Sequence, residues 1–442
     1  MTSLANIIDR EDARHHFFLS QKLGLLITTA AYTLVLWIPY LASFASNDVL
    51  RHFSSLLMLL CGLIAATLLY FRLGWRCKRL IATKRSAVGI FAIFGLALLL
   101  FGLHEAINTP AFGWDVISFY AKEAVRFNRD IASAPSISAF QVKYIHPPTM
   151  PIILALTSFF FDHSGLLIFL FLLPCLATTL YDIAFEAGAA LTGFMAVIFT
   201  FSLPLVEAHM LSFGYSELWV SGLLINALIA GGIGSKSGDW VLYLSGWVSC
   251  INILLLRDNW AIWVLPLSLF LVSAIILRAR SLTPFFMVWL AVLCSLFLFS
   301  QNTFLIEFTD IERLGIVHHE NGATVWIGQR PIALTPQPLD AAVQAIARGI
   351  FFNSSFSVSF ILWVLNGAAY FVQRSGSLNA TDLIVIFPSL LLVVVVSGCF
   401  FSEFFLQFYA VSDTGFSRFL LPWVVSATTA ALVAFVTVWT RS

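Results

Sequence analysis

The chain has 442 residues, of which 60% are hydrophobic and only 11% are charged, and its mean hydropathy is +0.91. This composition excludes a soluble protein of this length. The net charge of +1, without a long run of Lys or Arg, gives no reason to expect a nucleic-acid partner. The composition therefore predicts an all-α polytopic membrane protein that forms a single domain over residues 1–442.

Apolar segments along the chain predict the number of membrane spans. A helix needs about 20 mostly apolar residues to cross the hydrocarbon layer of a bilayer. About twelve segments are candidates: 22–44, 52–72, 86–106, 165–182, 188–206, 216–234, 240–256, 260–277, 283–300, 350–372, 383–401 and 419–439. The apolar segment 151–161 is too short to span and begins at Pro151, so we predict a short re-entrant or juxtamembrane helix there.

The distribution of Lys and Arg predicts the orientation of these spans. A cytoplasmic N-terminus over residues 1–21 puts nearly every short basic loop on the cytoplasmic side. These loops carry Arg72, Arg76, Lys78, Arg79, Lys84, Arg85, Lys236, Arg278, Arg280 and Arg374. Both termini are then cytoplasmic, and we expect the chain to lie in the inner membrane of a bacterium.

The same orientation predicts large periplasmic loops at 107–163, 301–349 and 402–418. The first of them is rich in ionisable residues. Asp115 follows Trp114, and a helical arrangement would put Asp115, Lys122 and Arg126 on one face. Other candidate residues in this loop are Tyr120, Glu123, Arg129, Asp130, Lys143, Tyr144 and His146, the last directly before Pro147 and Pro148.

Three further sites bring charge to the predicted outer face. Glu217 lies between Tyr215 and Trp219 at the start of a span, Arg257 and Asp258 separate two spans, and Asp413 with Arg418 precede the last span. Charge beside lipid is costly, so it invites a functional interpretation. Each residue taken alone also fits an interfacial anchor, and the tyrosines and tryptophans fit an aromatic belt.

The order of these motifs resembles the C-type glycosyltransferases, which are polytopic enzymes that use sugars carried on polyprenyl phosphate. The matching elements are Trp114-Asp115 with Tyr120, His146-Pro147-Pro148, Gly214-Tyr215-Ser216-Glu217, Leu256-Arg257-Asp258-Asn259 and Ser417-Arg418-Phe419-Leu420-Leu421-Pro422. Three features depart from the usual pattern of the family. In the first loop, the single Asp115 stands where many members of the family have a pair of acids. Glu217 stands in place of Asp, and a soluble C-terminal domain is not expected.

The resemblance implies transfer of a sugar to a glycan, lipid or protein acceptor on the periplasmic side. Such a reaction needs a base for the incoming hydroxyl and positive charge for the departing phosphate. We expect Asp115 to be the base and Glu217 to orient the acceptor or to join Asp115 in holding a divalent metal ion. Candidate phosphate and substrate ligands are Tyr120, Lys122, Arg126, Lys143, His146, Tyr215, Arg257 and Arg418.

Two alternatives stay open. An O-antigen-type polysaccharide polymerase or ligase would also use a lipid-linked donor, and the segment with Arg313, His318, His319 and Arg330 would suit it. The adjacent pair His318-His319 beside Glu320 also allows a metal site. A transporter or flippase would show internally repeated halves, and no convincing repeat is present.

Overall fold

The computed structural model describes eleven helices and four strands. The described residues are 20–42, 48–83, 96, 100, 150, 153, 164–204, 206, 216–256, 261–278, 304–307, 313–328, 330–352, 354–402, 406 and 416–439. The predicted spans 86–106 and 283–300 lie outside them, apart from Leu96 and Leu100. Of the short helix predicted over 151–161, Ile153 is described, and it is helical and buried.

The helices, numbered in chain order, are α1 Gln21–Ala42, α2 Asp48–Thr83, α3 Ser164–Glu186, α4 Ala190–Phe201, α5 Glu217–Ser237, α6 Trp240–Leu254, α7 Ala261–Arg278, α8 Leu339–Phe352, α9 Ser354–Gln373, α10 Ala380–Phe401 and α11 Phe416–Trp439. The strands are β1 Phe304–Glu307, β2 Arg313–His319, β3 Gly322–Gly328 and β4 Arg330–Leu334. The described part of the chain is thus mostly helical, which fits the predicted fold class.

Six of the described helices, α1, α2, α5, α9, α10 and α11, are long and apolar enough to cross a membrane. This supports a multispan membrane protein. The apolar stretches of α3, α4, α6 and α7 are shorter. The 12-residue α4, for example, covers about 18 Å at 1.5 Å per residue, well below the thickness of a bilayer core. The total of about twelve spans therefore stays a prediction.

Two helices, α5 and α11, form the centre of the described bundle. Helix α5 packs against α1, α3, α6, α7, α10 and α11, and α11 packs against α3, α4, α9 and α10 as well. Almost every residue of both helices is buried. A helix that is apolar around its whole circumference is expected in such a position. By contrast, α2, α9 and α10 expose large aliphatic side chains, as lipid-facing helices do.

Helices α5 and α6 approach each other closely through glycines. A Cβ on Gly246 would lie 3.0 Å from the Cα of Gly231, and a Cβ on Gly234 would collide with the backbone of Tyr243. Small residues at such an interface permit close backbone packing in membranes. The connection turns at Gly238, which has a φ of 79°, and Asp239 then caps α6 through its side chain.

Contacts at the helix termini define two ends of the bundle. At one end, which we name the arginine end, the start of α1 meets the ends of α2 and α3 through Arg72 and Asp182. The ends of α5, α7 and α9 and the starts of α6 and α10 lie at the same end. The opposite end, which we name the glutamate end, contains the start of α5 with Glu217.

A small antiparallel sheet interrupts the helical pattern at the glutamate end. Its four strands follow in the order β1-β2-β3-β4, with Ile316 paired to Val325 at the centre. The following segment bonds to the end of α10: the Thr335 N–H donates to the carbonyl of Phe401 at 2.8 Å. The sheet and most of α8 lie within 301–349, the segment predicted to be the second large periplasmic loop.

The span predicted over 350–372 corresponds to α9, which begins at Ser354 and is apolar enough to cross a membrane. The helix before it, α8, ends at Phe352. Helix α8 packs on α9 and α10. It buries Ala342 and Ala345 and exposes Leu339 and Val343. Helix α8 is therefore an amphipathic helix at the glutamate end, separate from α9.

Candidate functional site

Glu217 begins α5, and its side chain is only 1% exposed. The first turn is fixed by two hydrogen bonds: the Val220 N–H donates to the Ser216 carbonyl at 2.9 Å, and the Ser221 hydroxyl donates to the Glu217 carbonyl at 2.7 Å. A carboxylate in the first helical turn interacts favourably with the helix dipole. The helix start therefore holds a buried acid at the glutamate end.

Aromatic rings join α1, α3 and α5 beside this acid. The rings of Trp219 and Phe171 stack with centroids 5.4 Å apart, and Tyr32 meets the edges of both at 6.2 and 5.7 Å. A Cβ on Gly222 would collide with the Tyr32 hydroxyl, so only a glycine admits this tyrosine. All three rings are buried. They join the three helices within two turns of the start of α5.

Polar side chains connect α1, α5 and α6 inside the bundle. The Asn226 amide donates to Thr29 at 2.7 Å and to Ser249 at 3.0 Å. Nearer the glutamate end, the Asn252 amide donates to Thr33 at 2.9 Å, and the Trp37 indole donates to the Asn252 oxygen at 3.0 Å. Interhelical bonds of this kind associate helices in lipid, where apolar burial between helices contributes little. We name these residues the polar ladder.

Of the ten predicted site residues, only Glu217 has a described side chain. Arg418 lies in the first turn of α11, at the glutamate end, and its side chain is outside the described set. The others lie outside the described residues altogether: Asp115, Tyr120, Lys122, Arg126, Lys143, His146, Tyr215 and Arg257. Their roles, and a metal held by Asp115 and Glu217, stay predictions.

The arginine end contains a buried charge cluster that the sequence patterns did not predict. Both terminal nitrogens of Arg72 contact the Asp182 carboxylate oxygens, at 2.8 and 2.6 Å. Arg72 also donates a hydrogen bond to the Ser20 carbonyl at 2.7 Å. Arg76 donates to the same carboxylate and lies 4.0 Å from the centroid of the Phe185 ring. All three charged side chains have 0% exposure.

This cluster corrects the prediction that Arg72 and Arg76 belong to a cytoplasmic loop. Helix α2 continues to Thr83, and the two arginines lie one turn apart on its buried face, where Asp182 neutralises part of their charge. Gly24 leaves room for the group, since a Cβ there would collide with Asp182 and Arg72. Charges buried near the membrane are therefore not confined to the predicted outer face.

Asp382 is a second buried acid at the arginine end. It accepts hydrogen bonds from the Tyr370 hydroxyl at 2.7 Å and from the Asn379 N–H at 2.5 Å. It also forms an ion pair with Arg374, whose Nε lies 2.7 Å from the carboxylate. Asn379 in turn caps the first turn of α10, and the two side chains form a capping box. This carboxylate ties the end of α9 to the start of α10.

Within the described residues, His318 and His319 do not belong to a cluster of metal-ligating side chains. His318 and His319 are neighbours on β2, so their side chains leave opposite faces of the sheet. His319 Nε2 lies 3.0 Å from the Thr324 hydroxyl. Across the described ranges, no group of three or more His, Cys, Asp or Glu side chains is close enough to hold a metal ion.

Comparison of the chain with protein-family models, with curated proteins and with solved structures gives no match. The likeness to C-type glycosyltransferases therefore rests on the residues of the motifs themselves.

Proposed function

We propose that this protein is a membrane glycosyltransferase that moves a sugar from a polyprenyl-phosphate carrier to an acceptor on the periplasmic side. The observation that carries the proposal is the buried carboxylate of Glu217, which begins α5 within one of the motifs that resemble the C-type family. Burying a carboxylate near the membrane surface costs free energy, so its presence there favours a functional role. The described sheet and the start of α11 lie at the same end and would border the active site.

In the proposed reaction, Asp115 accepts the proton of the acceptor hydroxyl, whose oxygen then bonds to the anomeric carbon. The bond from that carbon to the carrier phosphate breaks, and Arg257 and Arg418 stabilise the phosphate that departs. Glu217 orients the acceptor or shares a divalent cation with Asp115. The remaining ligands would be Tyr120, Lys122, Arg126, Lys143, His146 and Tyr215.

The distribution of charge supports the proposed orientation. Lys22, Lys78, Lys236, Arg278 and Arg374 all lie at the arginine end, which would face the cytoplasm under the positive-inside rule. The glutamate end would then face the periplasm of a bacterial inner membrane. A membrane-impermeant maleimide tests this: a cysteine at Val343 should react from the periplasmic side, and one at Ser377 only after permeabilisation. The reverse pattern would contradict the orientation.

The function is tested by transfer of radiolabelled sugar from polyprenyl-phosphate donors by the purified protein in detergent. We expect transfer by the wild type and a loss of about 100-fold or more in Asp115→Asn, because asparagine cannot act as the base. Asp340→Asn, which changes an exposed acid in the first turn of α8, is the matched control and should stay active. Elution profiles check folding.

Undiminished transfer by Asp115→Asn would exclude Asp115 as the base. If no monosaccharide donor is used, but lipid-linked oligosaccharides are extended or ligated, the polymerase or ligase alternative replaces the proposal. The sheet with His318 and His319 at the glutamate end gives that alternative its support.

A further inference from the structure

A cavity of about 290 Å³ opens at the arginine end, between α1, α3, α5, α10 and α11. Its polar lining comes from the termini of these helices: Gln21 at the start of α1, Lys236 at the end of α5, Thr381 at the start of α10 and Thr437 near the end of α11. These residues form the mouth of the cavity, on the side of the bundle opposite Glu217.

The interior of the cavity is aliphatic. Ile229 and Ile233 precede Lys236 on the same face of α5, at the spacing of four and then three residues that aligns side chains along a helix. Ile384 and Val433 line it from α10 and α11. The volume equals that of roughly ten water molecules in the liquid, yet apolar walls do not hold ordered water. The lining fits a hydrocarbon chain better than a polar solute.

Lys236 gives the mouth a positive charge. It is exposed and makes no ion pair with any residue in the described ranges. The nearby Asp239 is engaged by Lys22 at 2.5 Å. The Thr381 hydroxyl adds a neutral hydrogen-bond donor to the mouth. A cation beside a neutral donor, above an aliphatic cleft, is complementary to a phosphate that carries an apolar chain.

We propose that this cavity binds an anionic phospholipid, with the phosphate at Lys236 and the first part of one acyl chain between α5, α10 and α11. The site is separate from the proposed catalytic site, because the two lie at opposite ends of the bundle. A lipid in this cavity would connect the ends of five helices at the membrane surface. Because it would bind the folded bundle and not the unfolded chain, it would stabilise the fold.

Native mass spectrometry of the full chain in detergent tests the proposal, by titration with phosphatidylglycerol and with phosphatidylcholine of the same acyl chains. The wild type should bind phosphatidylglycerol more tightly. Lys236→Gln should weaken that binding about fivefold, the effect of one lysine near an anionic headgroup. Thr437→Trp, which fills the mouth from α11, should weaken binding of both lipids.

Lys78→Gln is the matched control, because Lys78 is an exposed lysine at the same end but lies beside Trp75, outside the cavity. It should bind like the wild type. Equal losses in Lys78→Gln and Lys236→Gln would overturn the proposal, because they would indicate diffuse surface charge. Equal binding of the two lipids would also overturn it. A third contradicting result would be competition by millimolar inorganic phosphate together with unchanged lipid binding by Thr437→Trp, because this would indicate a site for small anions. Unfolding temperatures without lipid confirm that each variant is folded.

Discussion

Asp182 and Glu217 are both fully buried acids, but they lie at opposite ends of the bundle and among different neighbours. Asp182 accepts from two arginines on α2, and these bonds join α3 to α2. Glu217 begins the central helix beside a cluster of aromatic rings, at the end where the sheet lies. Burial alone therefore does not identify a functional acid, because the groups around a buried charge decide what it does.

The largest loss of folding stability is expected from Asp182→Ala. It leaves Arg72 and Arg76 buried without their carboxylate, and breaking a buried ion pair costs about 3 to 5 kcal/mol. Thermal unfolding in detergent and the yield of monodisperse protein measure the loss. Asp239→Ala, at the same end but partly exposed, is the control and should be mild. An Asp182→Ala protein as stable as the wild type would show that the cluster does not hold the arginine end together.

The polar ladder should matter less than the charge cluster. Asn226→Leu removes two interhelical hydrogen bonds, each worth about 0.6 kcal/mol inside a membrane, so we expect a loss of about 1 kcal/mol. Unfolding by a denaturing detergent measures it. Asn366→Leu is a suitable control, since the amide of Asn366 bonds only within α9, to the Leu362 carbonyl, among the described residues. A larger loss in the control would contradict the role of the ladder.

The smallest loss of folding stability is expected when the ion pair between Lys22 and Asp239 is removed. The hydrogen bond from Lys22, and further bonds from the Leu242 and Val241 N–H groups, hold the pKa of Asp239 below its ordinary value of 3.8. A lowered pKa adds stability above pH 3.8, and this stability is lost as the pH falls through the folded-state pKa.

Because the Lys22–Asp239 pair is partly exposed, its contribution should stay below about 1 kcal/mol. The difference in unfolding temperature between the wild type and Asp239→Asn should therefore shrink below pH 3.8. A difference that grows as the pH falls would contradict this assignment.

Hydropathy predicts the long helices of this protein well. The span predicted over 22–44 is α1, which covers Gln21–Ala42, and the span predicted over 383–401 is α10, which covers Ala380–Phe401. The reason is physical: a helix that crosses lipid must be apolar over its whole length, and this property is local in sequence.

The sheet and the charge cluster were not predicted. The sheet had only a weak local signal: Asn321 lies in the two-residue turn between β2 and β3, and Gly322, which pairs with His319, follows it. The cluster joins residues 110 positions apart, and no local pattern pairs them. The spacing of four residues between Arg72 and Arg76, with Asp182 inside another apolar segment, was the available hint. Of the candidate site, the structure describes the side chain of Glu217 alone.

The most direct test of the contrast between the two ends is sugar transfer by Glu217→Gln, measured per amount of folded protein and set beside its unfolding temperature. Glutamine keeps the shape of the side chain and removes its charge. We predict that transfer falls by about 100-fold or more, the contribution of one positioned catalytic group, while the unfolding temperature is not lowered. Full transfer with a lowered unfolding temperature would contradict it, because Glu217 would then be a structural acid like Asp182.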